Sequence, residues 1–444
     1  MNYSKSIPAL LEKNNPKVVN AWCSYDWANS VYNLTVTTAI FPVYYSAVTK
    51  EAFGSDMVSF WGMKISNTVL YSYAIAFSYL VIVFLSPILS GVADYSGKKK
   101  RFMQFFTYLG SAACLGLYFF RGEDIEYGIT CSVLASIGYA GALVFYNAFL
   151  PEIVTPDRMD KVSAKGFSMG YIGSVIMLVI NLIFITQHKL FGFTNELEPS
   201  RLAFLQVGIW WLAFAQIAFY FLKDRPTNQK ITSDILGKGF NELSTVLKNV
   251  KKQAATPRFL TAFFFYSMGV QTVILLAPLF GESVIHLKSD KLIMTVLLLQ
   301  IVAVIGSQLF AQVASRKGNK VALAICLCIW VCVCIGAFNL QTETQFFVLA
   351  GFLGLVLGGT QAISRSTYAK LIPADTTDLA SYFSLYDVCE KLAIVIGTFS
   401  YGFINQITGN MRYSSLAMIV FFAIGLIFLL TTRLAHNQRL AGGR

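Results

Sequence analysis

Long apolar stretches recur from one end of this 444-residue chain to the other. A helix needs roughly 20 predominantly apolar residues to cross the ~30 Å hydrocarbon core of a bilayer. No water inside that core can satisfy the backbone, so each crossing segment must be helical. The chain is 55% hydrophobic and only 13% charged, whereas soluble domains usually carry about 25% charged residues. The sequence therefore predicts an all-α integral membrane protein.

Twelve apolar stretches can be counted, and each predicts one transmembrane span. In chain order they cover residues 18–47, 68–93, 102–120, 127–150, 164–186, 201–222, 257–281, 291–314, 321–340, 345–372, 381–406 and 413–434. The one long polar segment, 223–256, leaves six spans on each side. We therefore predict an N-terminal six-helix bundle at 1–222, a cytoplasmic linker at 223–256 and a C-terminal six-helix bundle at 257–444.

Two copies of a basic hairpin indicate that the two bundles are pseudo-symmetric. The first copy, Gly97-Lys-Lys-Lys, lies between spans 2 and 3, and Gly318-Asn-Lys-Val lies 221 residues later, between spans 8 and 9. Spans 4 and 10 also end alike, as Tyr146-Asn-Ala-Phe-Leu-Pro and Tyr368-Ala-Lys-Leu-Ile-Pro. Related six-helix halves around a central site are one way to build a transporter with alternating access.

The net charge of +12 does not indicate a nucleic-acid partner, because of where the charges fall. If the N-terminus is inside, most of the 35 Lys and Arg residues lie in inner segments, as the positive-inside rule requires. We therefore predict cytoplasmic N- and C-termini, a lipid bilayer around the chain and no nucleic acid.

Polar side chains within span 1 are candidate binding residues. Asp26, Asn29 and Asn33 recur at spacings of three and four, which places them on one helical face. A charge at the bilayer centre costs roughly 2.5–3.5 kcal/mol on insertion scales. We therefore expect this face to line a cavity in which Asp26 binds substrate or a proton. The alternative is a structural polar contact between helices.

Span 10 carries Gln361 and Arg365 on one face. Arg365 offers planar, paired donors that suit a carboxylate or a phosphate. If the substrate is an amino acid, its carboxylate should meet Arg365 and its ammonium group should meet Asp26. The alternative is a salt bridge of Arg365 near the inner end of the helix. The remaining predicted cavity residues are Tyr146, Asn147, Tyr266 and Gln271.

Span 11 carries three charged residues, Asp387, Glu390 and Lys391. Asp387 and Lys391 are four residues apart, which is the spacing of an intrahelical ion pair. Glu390 is then a surplus acid. Because burial favours the neutral form of a carboxyl group, one acid could carry a proton that couples transport to a gradient. The alternative is gating or structural pairing.

Several stretches resemble motifs of the major facilitator superfamily. The basic hairpin resembles the loop between helices 2 and 3 of that superfamily. Five further stretches narrow the match from the superfamily to one subfamily. They begin at Tyr25 on span 1, Gly170 on span 5, Tyr266 on span 7, Gln361 on span 10 and Phe383 on span 11. Together they resemble the vacuole effluxer subfamily, the autophagy-linked exporter of amino acids and its bacterial relatives. The resemblance implies the major facilitator fold and a central path lined by spans 1, 4, 7 and 10.

Asp94 and Arg101, at the first hairpin, are expected to take part in gating. Asp94 ends span 2, where a carboxylate can cap the N-terminus of a neighbouring helix. In the superfamily that the chain resembles, such a contact latches the halves together. The alternative is that the basic residues only anchor the topology. Ser315 stands in the second hairpin at the position of Asp94, and Met268 replaces an acid that is frequent in the family, so symmetric halves are not expected.

The sequence contains no arrangement typical of an enzyme. Its histidines, His188, His286 and His436, lie outside the spans, and no Gly-Lys-Ser/Thr nucleotide loop occurs. The cysteines that crowd span 9 have no histidine or carboxylate nearby, so they do not resemble a metal site. We therefore predict no catalytic residues, no metal and no cofactor.

The predicted function is secondary active transport of a small polar or zwitterionic solute, amino acid or peptide-like, with proton coupling as an option. The alternatives are a lipid or amphiphile translocator and a sensor that has lost transport. Short loops favour a bacterial inner membrane over a fungal vacuole. Nothing in the sequence demands oligomerisation, so we expect a monomer.

Overall fold

The computed structural model of the chain describes residues 12–225 and 235–434. Before the linker, the elements are α1 (Pro16–Val31), a π-helical stretch (Tyr32–Ile40), α2 (Phe41–Phe53), β1 (Met57–Phe60), β2 (Met63–Ser66), α3 (Asn67–Ser96), α4 (Lys99–Leu117), α5 (Ile125–Ala148), α6 (Leu150–Ile153), α7 (Met159–Thr186), a 3₁₀ turn (His188–Phe191) and α8 (Leu197–Phe221). They are followed by α9 (Ile235–Lys252), α10 (Ala255–Ile285), α11 (Ser289–Lys317), α12 (Asn319–Phe338), α13 (Glu343–Leu371), α14 (Leu379–Thr408) and α15 (Met411–Thr431).

Nine helical segments within the described residues are long and apolar enough to cross a membrane. They correspond to predicted spans 2, 4 to 10 and 12. Spans 1, 3 and 11 are also helical, but α1 is only 16 residues long, α4 begins with three basic residues and α14 carries a charged cluster. The all-α membrane architecture is therefore confirmed, whereas the count of twelve spans stays a prediction.

Span 1 is an interrupted helix. A π-helical stretch, Tyr32–Ile40, separates α1 from α2. Pro42 stands in the first turn of α2, where a residue without a backbone N–H is tolerated. Short π-helical insertions are frequent at functional sites. This one carries Asn33 on the side where the central cavity lies.

The predicted linker contains an amphipathic helix that packs on the bundle. In α9, Leu243, Val246 and Val250 are buried, while the basic residues at its C-terminal end are exposed. It crosses α3 where Gly239 meets Gly91, so closely that a Cβ atom on either glycine would collide with the other helix. Residues 226–234 of the predicted linker lie outside the described residues.

Both basic hairpins turn at a glycine with positive φ, 65° at Gly97 and 88° at Gly318, a conformation that other residues rarely adopt. Lysines of the two hairpins have similar roles. Lys100 Nζ donates to Phe219 O at 3.1 Å, and Lys320 Nζ donates to Thr432 O at 3.1 Å. Each lysine thus holds the C-terminal end of the last helix in its own half. The end of the molecule that carries these hairpins is called the hairpin end below.

The N-terminal half (residues 12–222) and the C-terminal half (residues 257–434) meet along α3, α5 and α7 on one side and α11, α13 and α14 on the other. Hydrogen bonds near the middle of this interface join α7 to the C-terminal half. Ser163 Oγ donates to Ala362 O at 2.8 Å, Ser168 and Ser307 hydroxyls lie 2.8 Å apart, and Tyr171 OH donates to Gln361 Oε1 at 2.6 Å.

Candidate functional site

A cavity of about 190 Å³ lies between the two halves. All of the predicted substrate-binding residues except Tyr146 line it, and so do Glu390 and Lys391. The sequence did not single out Gln300 on α11 or the tyrosines of α3, α5 and α7. The charged and amide side chains that line the cavity are Asp26, Asn29, Asn33, Asn147, Gln271, Gln300, Gln361, Arg365, Glu390 and Lys391.

Asp26 and Arg365 form a buried ion pair across the two halves. Asp26 Oδ2 accepts from Arg365 Nη2 at 3.0 Å, and both side chains are at most 5% exposed. Tyr146 OH donates to the same oxygen at 2.7 Å. Asp26 Oδ1 has no hydrogen-bond partner among the described residues. The two residues predicted to bind opposite ends of a zwitterion therefore lie side by side and are paired to each other.

The guanidinium of Arg365 is held in one orientation from several sides. Its Nε donates to Ser163 Oγ at 3.0 Å and its Nη2 donates to Ser163 O at 2.9 Å. Its Cζ atom lies 4.0 Å from the ring centre of Phe167 and 4.8 Å from that of Trp22. Among the described residues, Nη1 makes only a long contact of 3.4 Å, with Asn147 Oδ1. Nη1 is therefore the edge of the fork with donor capacity left for a ligand.

Tyr146 supports the ion pair from behind the cavity. Its ring stacks on Trp22 with centroids 4.5 Å apart, and Trp22 Nε1 donates to Tyr146 O at 3.0 Å. Both side chains are fully buried. The structure therefore places Tyr146 as a residue that positions Asp26, rather than as part of the cavity wall.

A second charged group lines the cavity from α14. Lys391 Nζ lies 3.1 Å from Asp387 Oδ1 and 3.0 Å from Glu390 Oε2. Gln271 Nε2 donates to Glu390 Oε1 at 3.0 Å, and Lys391 faces the Tyr79 ring. Glu390 is 23% exposed, which makes it more accessible from the cavity than the other two charges. We refer to Asp387, Glu390 and Lys391 as the α14 triad.

The α14 triad contains two acids and a single base. Asp387 lies behind the cavity wall, and its Oδ2 atom is buried with no hydrogen-bond partner among the described residues. An ionised carboxylate oxygen without a partner is costly to bury. The arrangement therefore suits a cluster in which one acid carries a proton.

Asp94 caps the N-terminus of α14 at the hairpin end. Its Oδ1 accepts from the backbone N–H of Ala380 at 3.1 Å, and its Oδ2 accepts from that of Ser381 at 2.7 Å. Asp94 is 6% exposed, and the contact joins the two halves. Arg101, in contrast, is exposed on α4, and its side chain has no hydrogen bond or ion pair to another described residue.

Sequence reasoning missed two residues of α7 that contact span 10, Asp160 and Ser163. They lie in a stretch with Asp157, Arg158 and Lys161, which is typical of an exposed loop between spans. The useful signal was the spacing of three between Asp160 and Ser163, because it places both residues on one face if α7 begins before them.

The chain is similar to known proteins over most of its length. Residues 14–442 match the family described as "Vacuole effluxer Atg22 like". The MFS-type transporter YxiO of Bacillus subtilis is 32% identical over 426 residues, which cover 94% of this chain and 95% of that protein. Autophagy-related protein 22 of Saccharomyces cerevisiae strain S288c is 24% identical, and the alignment covers 79% of this chain and 74% of that protein.

Solved structures share the architecture at low sequence identity. The human organic anion transporter MFSD10 superposes with a TM-score of 0.71 at 11% identity, over 94% of this chain and 100% of that one. The E. coli fucose:proton symporter FucP gives a TM-score of 0.68 at 15% identity, over 94% and 98% of the two chains. These similarities confirm the predicted major facilitator fold.

Proposed function

This chain belongs to the vacuole effluxer Atg22-like family of major facilitator transporters, and we propose that it carries a small zwitterionic solute of the amino-acid or peptide class by alternating access. The chain is a multi-pass membrane transporter and not an enzyme. The observation that carries the proposal is the pairing of opposite charges on the wall of one small central cavity, at Asp26 with Arg365 and at Glu390 with Lys391.

Two poles of charge suit a solute with two charged ends. A substrate carboxylate would bind the free donor of Arg365 Nη1, and its ammonium group would bind Asp26 Oδ1. Asn29 Nδ2 and Gln300 Oε1 support the proposal because they line the cavity and are buried without a partner among the described residues. A buried polar atom without a partner costs about 1–3 kcal/mol, which a polar ligand would recover.

The cavity does not favour lipid as the substrate. A lipid translocator should have an apolar cavity wide enough for an acyl chain. Here charged and amide side chains line a space of about 190 Å³, below the ~300–1,000 Å³ usual for drug-sized ligands. Size and polarity therefore both support a small hydrophilic solute.

Closure at the hairpin end supports alternating access between two bundles, 1–222 and 257–444, joined by the 223–256 linker. Asp94 joins the halves at that end, and the bonds of α7 to Ser307, Gln361 and Ala362 continue toward the cavity. We place the hairpin end in the cytoplasm, because its basic residues fit the positive-inside rule. The state described here is then closed to the cytoplasm, and we place the protein in a bacterial plasma membrane as a monomer.

A thermal-shift screen of the detergent-purified protein tests the substrate class. We expect L-amino acids or small peptides to raise Tm, because a ligand at 100 times its Kd stabilises the folded state by about 2.7 kcal/mol. N-acetylated and amidated forms of the same amino acid are the matched controls and should give no shift, since each lacks one charged end. Stabilisation by lipids alone, with no response to any zwitterion, would overturn the proposal.

We further propose that the α14 triad holds the proton that couples transport to a gradient. Its two acids share one base, Lys391, and Glu390 gives the triad its access to the cavity. Replacing Glu390 by Gln removes the surplus acid but keeps an acceptor for Lys391. We expect Glu390→Gln to lose stimulation of uptake by a proton gradient while still exchanging labelled for unlabelled solute. Glu343→Gln, at an exposed ion pair with Lys291, should behave like the unaltered protein. Gradient-driven uptake that persists in Glu390→Gln would contradict the assignment.

A further inference from the structure

The second hairpin lacks the acid with which the first one joins the halves. The residue 221 positions after Asp94 is Ser315. Ser315 is exposed, and its hydroxyl donates to Gln312 O at 2.9 Å within α11. Ser315 therefore makes no contact with another described residue that is equivalent to the one by which Asp94 caps α14.

An acid of the N-terminal half, Asp160, instead contacts the C-terminal half beside the second hairpin. Asp160, in the first turn of α7, is 4% exposed. Its Oδ1 accepts from Asn319 Nδ2 at 2.7 Å and from Ser366 Oγ at 2.7 Å. Its Oδ2 forms an ion pair with Lys370 Nζ at 2.5 Å. Each of these contacts crosses from the N-terminal to the C-terminal half.

The partners of Asp160 are also bonded to one another. Lys370 Nζ donates to Asn319 Oδ1 at 3.0 Å, and Asn319 Nδ2 donates to Thr367 Oγ1 at 2.9 Å. Asn319 is the residue directly after the hairpin glycine Gly318, so the network ties the second hairpin to α13 as well as to α7. A hydrogen-bond network in which the partners also bond to one another holds its side chains in one arrangement.

The internal repeat shows how this contact relates to the first. Subtracting the offset of 221 from Ser381, which donates its backbone N–H to Asp94, gives Asp160. The acid Asp160 thus lies at the helix start that corresponds to the donating helix start of the first contact. One of its donors, Asn319, lies at the second hairpin, whereas Ser366 and Lys370 donate from α13. The two halves use opposite assignments of donor and acceptor at equivalent positions of the interface.

We propose that Asp160, Asn319, Ser366 and Lys370 form a second latch, the inverted latch, which keeps the hairpin end closed together with Asp94. This rests on the proposed alternating-access function. Both latches must open before the halves can separate at this end. The Lys370 side chain is 25% exposed whereas that of Asp160 is 6% exposed, so water can reach the lysine and compete for it without entering the protein core.

Hydrogen exchange of the full-length protein in lipid nanodiscs, without substrate, tests the inverted latch. We expect Asp160→Asn to raise amide exchange roughly tenfold or more in the first turns of α7 and α12 and the last turns of α13, because their opening no longer requires breaking an ion pair. The matched control is Asp157→Asn, since Asp157 is exposed and, within the part of the chain that the structure describes, pairs only with its neighbour Arg158 at 3.9 Å. Exchange in Asp157→Asn should match that of the unaltered protein.

Two further variants distinguish a latch from a local packing effect. Lys370→Met is a second variant that keeps the test valid if Asp160→Asn fails to fold. It changes a partly exposed site and should raise amide exchange in the same segments. The double exchange Asp160→Lys with Lys370→Asp should restore protection, which a lost packing contact would not do. Unchanged exchange in both single variants would overturn the proposal. Since no substrate is present, a wrong substrate class leaves this result unaffected.

Discussion

Replacing Arg365 by Lys should weaken solute binding roughly 10–100-fold while leaving the protein folded. Lysine can keep the charge opposite Asp26, but it has no planar fork. It therefore loses the bonds to Ser163 and the free Nη1 donor on the cavity side. Hydrogen bonds to charged groups are each worth about 1.5–3 kcal/mol, and 1.4 kcal/mol is a factor of ten in affinity. Isothermal titration with the best amino acid of the thermal-shift screen measures the loss.

Arg412→Lys is the matched control for that experiment. Arg412 is also a guanidinium at a helix, where its Nη1 donates to Phe338 O at 2.8 Å, but it lies outside the cavity wall. Its replacement should leave affinity unchanged. If Arg365→Lys binds solute as tightly as the unaltered protein and only unfolds more easily, Arg365 is a structural ion-pair partner and the binding role is wrong.

Replacing Asp94 by Ala should open the hairpin end. The change leaves the buried N–H groups of Ala380 and Ser381 without their acceptor. Each unsatisfied group costs about 1–3 kcal/mol in the closed state, while the open state gains water as a partner. The population of the open state should therefore rise by at least about tenfold. Spin labels at Lys98 and at the exposed Ala374, in a background without native cysteines, report the distance between the halves.

Asp378→Asn provides the comparison for Asp94→Ala. Asp378 precedes α14, but its carboxylate bonds locally, to Thr376 and Thr377 at 3.4 Å. We expect no change of the inter-label distance in this variant. A distance distribution in Asp94→Ala that matches the control would mean that the cap on α14 does not hold the halves together.

The apolar pattern was sufficient to predict the membrane helices, because hydropathy is a property of the local sequence, and the two basic hairpins indicated the repeat. The spacing of Asp387 and Lys391 predicted their ion pair, since residues four apart are neighbours on one helix. The pairing of Asp26 with Arg365 could not be predicted in this way. These residues are 339 positions apart, and only the packing of α1, α7 and α13 brings them together.

Other differences have equally specific causes. The interruption of span 1 at Tyr32–Ile40 leaves no mark in a hydropathy pattern, because a π-helical stretch keeps the same apolar residues. The position of Glu390 on the cavity wall depends on the rotation of α14, which helix contacts set. Asp160 was missed because its charged neighbours resemble a loop, although α7 already begins at Met159.

Counterflow in proteoliposomes tests the central claim most directly. Vesicles preloaded with an unlabelled amino acid and diluted into the labelled form should accumulate label transiently without any ion gradient. Accumulation should be strongly reduced in Arg365→Lys and retained in Arg412→Lys. Absence of counterflow for every amino acid and small peptide tested, in vesicles where the protein is folded and moves a labelled lipid instead, would contradict a zwitterion carrier.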